Sequence, residues 1–178
     1  HLLIEKLALP NQIWAVTFTN KAASEMKIRV SNLLNYPIDK MWLGTFHSLS
    51  AKILRANAEL VGLKSNFIII DSDDQLKLIK QICEQKKIDI KEKPPKYFAT
   101  IIDNYKNKGI FPQSVKLTKS KKEEQNIATI YKLYQEELLR LNCVDFGDLI
   151  LFCIKIFKEK NEVCSQYQNL FKFILVDE

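Results

Sequence analysis

Residues 15–23 read AVTFTNKAA and carry the chain from a strand into a helix. The β-branched and aromatic residues of this region predict a strand over Ile13–Phe18. Apolar residues then recur at the spacing of one helix face: Ala22, Met26, Val30 and Leu33. Thr19 or Asn20 can cap this helix, because a short polar side chain accepts hydrogen bonds from the first free backbone amides. The junction therefore predicts a strand followed directly by a helix.

The same order of elements is repeated once and is then interrupted. A short strand over Met41–Thr45 leads into a helix, and a continuous apolar strand over 173–176 comes at the end. Most of the sequence between them has helical periodicity, including a helix that Asp145 can cap. We predict an α/β fold in which a parallel sheet is interrupted by a mainly helical inserted domain. The predicted boundaries are 1–45 with 169–178 for the sheet domain and 46–168 for the insert.

Composition narrows the class of protein without identifying it. The formal net charge is +6, from 27 basic and 21 acidic residues, and Arg29, Arg55 and Arg140 are the only arginines. A lysine-rich chain of this kind can attract phosphate diffusely, although a solvated basic surface has the same composition. No apolar run reaches the roughly 18 residues of a membrane span. The four cysteines form no C-x-x-C pair, which argues against zinc and favours a reduced, cytoplasmic protein.

The last strand ends in a pair of acidic residues, Asp177 and Glu178. In many nucleotide triphosphatases an Asp at the carboxyl end of a strand meets Mg²⁺, and the next Glu can activate the attacking water. Strands also end in acidic turns for no catalytic reason. The phosphate-binding pattern G-x-x-x-x-G-K-[ST] does not occur in the 178 residues. We therefore expect either no ATP chemistry or a loop that precedes residue 1.

Two strand-to-helix junctions carry polar and aromatic side chains suited to nucleic acid. In the first, Thr17, Thr19 and Asn20 can donate to phosphate oxygens, and Phe18 can stack on a base. The alternative is an ordinary capped turn with Phe18 in the core, which the residues alone favour. In the second, the segment GTFHS over residues 44–48 contains His47, which can contact a phosphate or hold a neighbouring loop. The alternative, which the residues alone favour, is that His47 makes only a local hydrogen bond at the start of a helix.

Taken together, five segments resemble the successive landmarks of UvrD/Rep-type helicases of superfamily one. They occur in that family's order and spacing across essentially the whole chain, and AVTFTNKAA is specific. The segments are AVTFTNKAASEM, GTFHSLSAKILR, IIIDSDDQLKLIK, VDFGDLI and FILVDE. The resemblance implies an incomplete RecA-like sheet of the P-loop NTPase type, interrupted by a helical insert.

The resemblance also implies roles for individual residues. Asp177 matches the Mg²⁺-associated Asp, and Glu178 matches the catalytic Glu that activates water. The insert is implied to touch duplex DNA ahead of the fork. The residues implied to contact single-stranded DNA are Thr17, Phe18, Thr19, Asn20, Thr45 and His47.

By this resemblance the parent protein is expected to be a 3′-to-5′ ATP-dependent DNA helicase of repair or replication. ATP and Mg²⁺ are its expected cofactors, and single-stranded DNA and the junction of single- and double-stranded DNA are its expected partners. The phosphate-binding loop, the adenine-reading segment and the second lobe are expected outside residues 1–178. We therefore expect the polypeptide as given to be inactive alone.

Three other functions remain open at the level of sequence. Helicase-nuclease subunits of recombination complexes share these motifs, although the compact insert argues against them. A DNA-binding module that has lost ATPase function is a second alternative. A purely structural helical protein, in which TFTN and GTFHS are ordinary turns, is a third.

Overall fold

A computed structural model describes residues 1–34, 38, 40–115 and 122–177. The chain is mixed α/β, with a small parallel sheet and helical segments. The strands are β1 Ile13–Thr17, β2 Trp42–Thr45, β3 Ile68–Ile69, β4 Cys143–Val144 and β5 Phe173–Asp177. The helices are α1 Asn20–Leu34, α2 Phe46–Ala56, α3 Ser72–Gln85, α4 Pro95–Asn107, α5 Lys122–Arg140, α6 Phe146–Glu159 and α7 Asn161–Leu170.

The described chain separates into two compact units. One comprises residues 1–54 and 155–178, and the other comprises residues 55–154. These boundaries lie inside α2 and α6, whereas the sequence placed them at 45/46 and 168/169. Each of these two helices therefore contributes residues to both units.

The first unit is built on three parallel strands in the order β2-β1-β5. β1 lies between the other two and is almost completely buried, which accounts for its apolar, β-branched sequence. β5 pairs with β1 although the whole helical stretch separates them in sequence. The prediction of a parallel α/β sheet interrupted by helices is therefore confirmed. One buried apolar cluster of this unit contains Ala8, Ile13, Ala15, Met41 and Leu43.

The second unit is a helical cluster around a small apolar core. Its buried side chains come mainly from α3, α4 and α5, with Tyr131 and Tyr134 among the largest. The other members are Ile79, Ile82, Cys83, Phe98, Ala99, Ile102, Ile127, Ile130, Leu138 and Cys143. The two-residue strands β3 and β4 pair in parallel at one side of this core, through Ile68 with Cys143 and Ile69 with Val144.

A buried ion cluster connects three helices of the second unit. The ammonium of Lys106 on α4 is completely buried, and it lies 2.6 Å from Asp145 Oδ2 and 2.8 Å from Asp148 Oδ1. From α5, Tyr134 donates to Asp145 Oδ2 at 2.8 Å and Gln135 donates to Asp148 Oδ1 at 3.1 Å. Every charge in the cluster therefore has several partners, as buried charges require.

The two carboxylates of the cluster also start α6. The Asp145 amide donates to Asp148 Oδ2, and the Asp148 amide donates to Asp145 Oδ1. This reciprocal arrangement confirms the prediction that Asp145 caps the helix. Gly147 lies between them, and a Cβ at this position would come within 2.9 Å of Lys106 Cδ. The absence of a side chain at Gly147 is therefore what lets the lysine stem reach the acids.

Replacing Lys106 by Met should strongly destabilise the second unit. The variant keeps most of the apolar stem but leaves two buried carboxylates without their cation, which costs about 3–5 kcal/mol of unfolding free energy. Urea unfolding of the chain, followed by the near-ultraviolet signal of the buried tyrosines, measures this loss. The control Lys108→Met removes an exposed ammonium just after α4 and should change stability by less than about 0.5 kcal/mol. Equal effects at the two positions would contradict a stabilising role for the cluster.

The stability of this unit should depend on pH through Asp148. Burial raises the pKa of Asp148 from 3.8 to about 6, against the opposing effect of Lys106. The folded state therefore holds this proton more tightly than the unfolded state. The associated stabilisation is complete below pH 3.8 and is lost as the pH rises through about 6.

The matched comparison is Asp148→Asn, which cannot titrate at this position. We expect the unfolding free energy of the unaltered chain, minus that of the variant, to fall by on the order of 2–3 kcal/mol between pH 4 and pH 7. A pH-independent difference would show that Asp148 titrates at its ordinary pKa.

A candidate nucleic-acid interface at the sheet edge

Three predicted site residues lie side by side at the carboxyl edge of the sheet. Thr17 is the last residue of β1, and its register partners are Thr45 on β2 and Asp177 on β5. Neighbouring parallel strands are about 4.8 Å apart, so the three residues form a row across the edge. Ligands of open parallel sheets bind at such carboxyl ends.

The two threonines of this row are buried. Thr17 is 3% exposed and Thr45 is 6% exposed. The Oγ1 of Thr45 accepts a hydrogen bond from the Ser48 amide at 3.2 Å and so caps α2. These side chains therefore support the edge from within, and the surface of the edge is formed by the residues that follow them.

Phe18 is the most prominent of these following residues. Its side chain is 79% exposed, so the alternative that it packs in the core is wrong. Burial of an aromatic side chain of this size would contribute on the order of 2 kcal/mol to the stability of the fold. The exposed Phe18 does not make this contribution. Phe18 lies between β1 and α1, so its ring is open to contact at this edge of the sheet.

Thr19 and Asn20 form the start of α1 beside Phe18. Thr19 Oγ1 accepts from the Ala22 amide at 3.1 Å, and its carbonyl accepts from the Ala23 amide at 3.0 Å. Thr19 is therefore the cap, and Asn20 is the exposed first residue of the helix. The free amides of this helix start supply partial positive charge at the edge.

A clamp at the end of β2 fixes the second junction. Ser48 Oγ accepts from the Thr45 amide at 2.9 Å and donates to the Thr45 carbonyl at 3.0 Å. With the Thr45 cap, this makes three hydrogen bonds between two residues. A Cβ at Gly44 would lie 2.5 Å from Ser48 Oγ, so the glycine provides the room for the serine hydroxyl. We refer to Gly44, Thr45 and Ser48 as the β2 clamp.

Comparison with known proteins gives this edge its context. The chain matches the UvrD/REP helicase N-terminal domain over residues 1–178. The chain belongs to this family. It is 42% identical over its full length to the ATP-dependent DNA helicase PcrA of Staphylococcus epidermidis, and 41% identical to that of Staphylococcus aureus. The chain covers 24% of each of these proteins, and so spans about a quarter of the length of the curated relatives it matches.

The other predicted site residues of this UvrD/REP helicase domain have the following positions. His47 is half-buried and is the second residue of α2, directly beyond the row. Asp177 is exposed at the end of β5, and Glu178 lies outside the described residues. Sequence reasoning missed the β2 clamp, although the Thr-x-x-Ser spacing of residues 45–48 is a recognisable capping pattern.

Asp177 carries a carboxylate, which is one of the groups that bind Mg²⁺ in proteins. Among residues 1–34, 38, 40–115 and 122–177, no three His, Cys, Asp or Glu side chains come close enough together to hold a metal ion. Mg²⁺ is usually bound by one or two carboxylates together with water and substrate phosphates. One exposed carboxylate at the end of a strand fits that mode.

In the same described ranges, no helix is long and apolar enough to cross a membrane.

The β2 clamp should contribute measurably to the stability of the sheet unit. Ser48→Ala removes two hydrogen bonds to Thr45 and should cost about 1 kcal/mol of unfolding free energy, whereas Ser48→Thr should retain most of it. The control Ser24→Ala, at an exposed position in α1, should cause no loss.

Gly44→Ala provides the second half of this test. Its Cβ collides with the Ser48 hydroxyl, so the double variant with Ser48→Ala should lose less stability than the sum of the two single variants. Chemical denaturation of the four proteins measures this coupling. Strict additivity would show that the two positions are independent.

Proposed function

We propose that this chain forms the DNA-contacting edge and part of the ATPase lobe of a 3′-to-5′ ATP-dependent DNA helicase. The observation that carries the proposal is the row of Thr45, Thr17 and Asp177, with the exposed Phe18 directly beyond it. Membership of the UvrD/REP helicase family and the likeness to PcrA support it.

The sheet edge suits single-stranded DNA as a ligand. Phe18 provides a stacking face, while the helix start at Asn20 and the half-buried His47 lie where backbone phosphates can be held. Stacking combined with phosphate contacts tolerates any base sequence. We therefore assign Thr17, Phe18, Thr19, Asn20, Thr45 and His47 to this interface, with the two buried threonines as its support.

The proposed ATP chemistry centres on the end of β5. Asp177 is the residue that would hold Mg²⁺, either directly or through water, and Glu178 is proposed to activate the attacking water. When bound, the metal neutralises the charge on the phosphates. Thr17 pairs with Asp177 in the sheet. The strand β1, which ends at the proposed DNA interface, is therefore the neighbour of β5, which carries the proposed Mg²⁺ ligand.

The helical stretch of residues 46–168 is proposed to be the inserted domain that meets duplex DNA at the junction with single-stranded DNA. The chain's net charge of +6 and its predominance of lysine suit contact with phosphates. Residues 1–45 with 169–178 are proposed as the motor lobe and 46–168 as the insert. A cytoplasmic location and a role in DNA repair or replication belong to the same proposal, and the isolated chain is expected to be inactive.

The proposal is tested by the DNA-stimulated ATPase activity of the full-length protein. Phe18→Ala should raise the concentration of single-stranded DNA needed for half-maximal stimulation by about tenfold, because one stacking contact is lost. The ATPase rate without DNA should not change. Asp177→Asn should abolish ATP hydrolysis at every DNA concentration while leaving DNA binding intact.

The control for Phe18 is Ile28→Ala, which truncates another exposed apolar side chain, in α1. This variant should behave like the unaltered protein. A full-length protein without DNA-stimulated ATPase activity, or a Phe18→Ala variant with unaltered DNA dependence, would overturn the proposal.

A further inference from the structure

The ends of β1 and β2 repeat the same two residues in register. β1 ends in Thr17 and continues with Phe18, while β2 ends in Thr45 and is followed by Phe46. Thr17 and Thr45 are register partners in the parallel pair. Each phenylalanine therefore lies one residue beyond a buried threonine on adjacent strands, with Phe18 before the cap of α1 and Phe46 as the first residue of α2.

Both phenylalanines reach solvent at this edge. Phe18 is 79% exposed and Phe46 is 39% exposed. Phe46 is the first residue of α2, whose buried positions begin at Leu49 and Ser50. Residues three and four apart share one helix face, so Phe46 continues the buried face of α2 out to the carboxyl edge of the sheet. One part of its ring can be held by packing while another part faces a ligand.

The β2 clamp fixes the backbone from which Phe46 extends. Ser48 holds both the amide and the carbonyl of Thr45, the residue immediately before Phe46. The backbone carbonyl of Thr45 is part of the peptide group that it shares with Phe46. A side chain presented from a fixed peptide loses little conformational freedom on binding, which favours a stacking contact.

From this arrangement we propose that Phe46 is a second base-stacking residue for single-stranded DNA, placed beside Phe18. The inference rests on the proposed function, since it adds a contact to the same interface. Adjacent β-strands are about 4.8 Å apart. This separation suits two neighbouring nucleotides of a single DNA strand. The bound DNA then crosses the carboxyl edge from one strand end to the next, with one base on each ring.

The chemistry predicts which substitutions preserve binding. Stacking needs a flat aromatic face, so Phe46→Tyr should bind single-stranded DNA like the unaltered protein. Phe46→Leu keeps an apolar side chain for packing on α2 but has no ring, and it should weaken binding to an oligo(dT) strand by roughly tenfold. Ser48→Ala, which releases the peptide before Phe46, should weaken binding in the same direction by a smaller factor, and Ser48→Thr should restore it.

The experiment measures fluorescence anisotropy of labelled oligonucleotides with the full-length protein. Two probes of equal length are used: oligo(dT), and an abasic strand with the same phosphates but no bases. Phe46→Leu should lose affinity for oligo(dT) and keep its affinity for the abasic strand. Phe18→Leu serves as the matched variant and should show the same pattern. Ile28→Leu, an exposed position on α1, is the control without an expected effect.

The outcomes separate this inference from the proposed function. If Phe18→Leu is selectively weakened on oligo(dT) and Phe46→Leu is not, the role of Phe46 is overturned and the proposed interface stands. If Phe46→Leu loses affinity equally for both probes, Phe46 acts through folding or phosphates and the stacking role is overturned. If neither variant changes binding, both the inference and the proposed interface are overturned.

Discussion

The parallel pairing of β1 with both β2 and β5 is the interaction on which the candidate site depends. These backbone hydrogen bonds bring together three segments that are far apart in sequence, and their register aligns Thr45, Thr17 and Asp177. A shift by one residue on any strand would turn its side chains to the opposite face and separate the row. The burial of β1 on both faces, and of the two threonines, makes such a shift costly.

Much of this arrangement could be predicted from the sequence. Apolar, β-branched runs indicated β1 and β2 to within one residue at each end, and Asp145 was recognised as a helix cap. These features depend on local patterns that the chain carries in consecutive residues. The strand β4 and its pairing with β3 were not predicted, because a strand of two residues cannot show a periodicity. Their pairing depends on contacts between residues more than 70 positions apart.

The candidate site shows the same division between local and distant information. The segments TFTN and GTFHS were found as motifs, but the sequence could not tell whether Phe18 lies in the core or in solvent. Burial is a property of the whole fold, and only the structure shows the exposed ring. Conversely, Thr17 and Thr45 were expected to face the ligand, and the structure shows them buried beneath that surface. Lys106 gave no signal among the chain's many lysines, because its burial depends on Asp145 and Asp148.

The close approach between Gly147 and Lys106 has a consequence for how the sequence can change. A side chain at position 147 would occupy space now filled by the lysine stem, and the lysine cannot retreat without abandoning two buried carboxylates. The two positions are therefore epistatic, although about 40 residues separate them. Evolution can enlarge residue 147 only along paths that first shorten or reroute residue 106, so the order in which such substitutions arise is constrained.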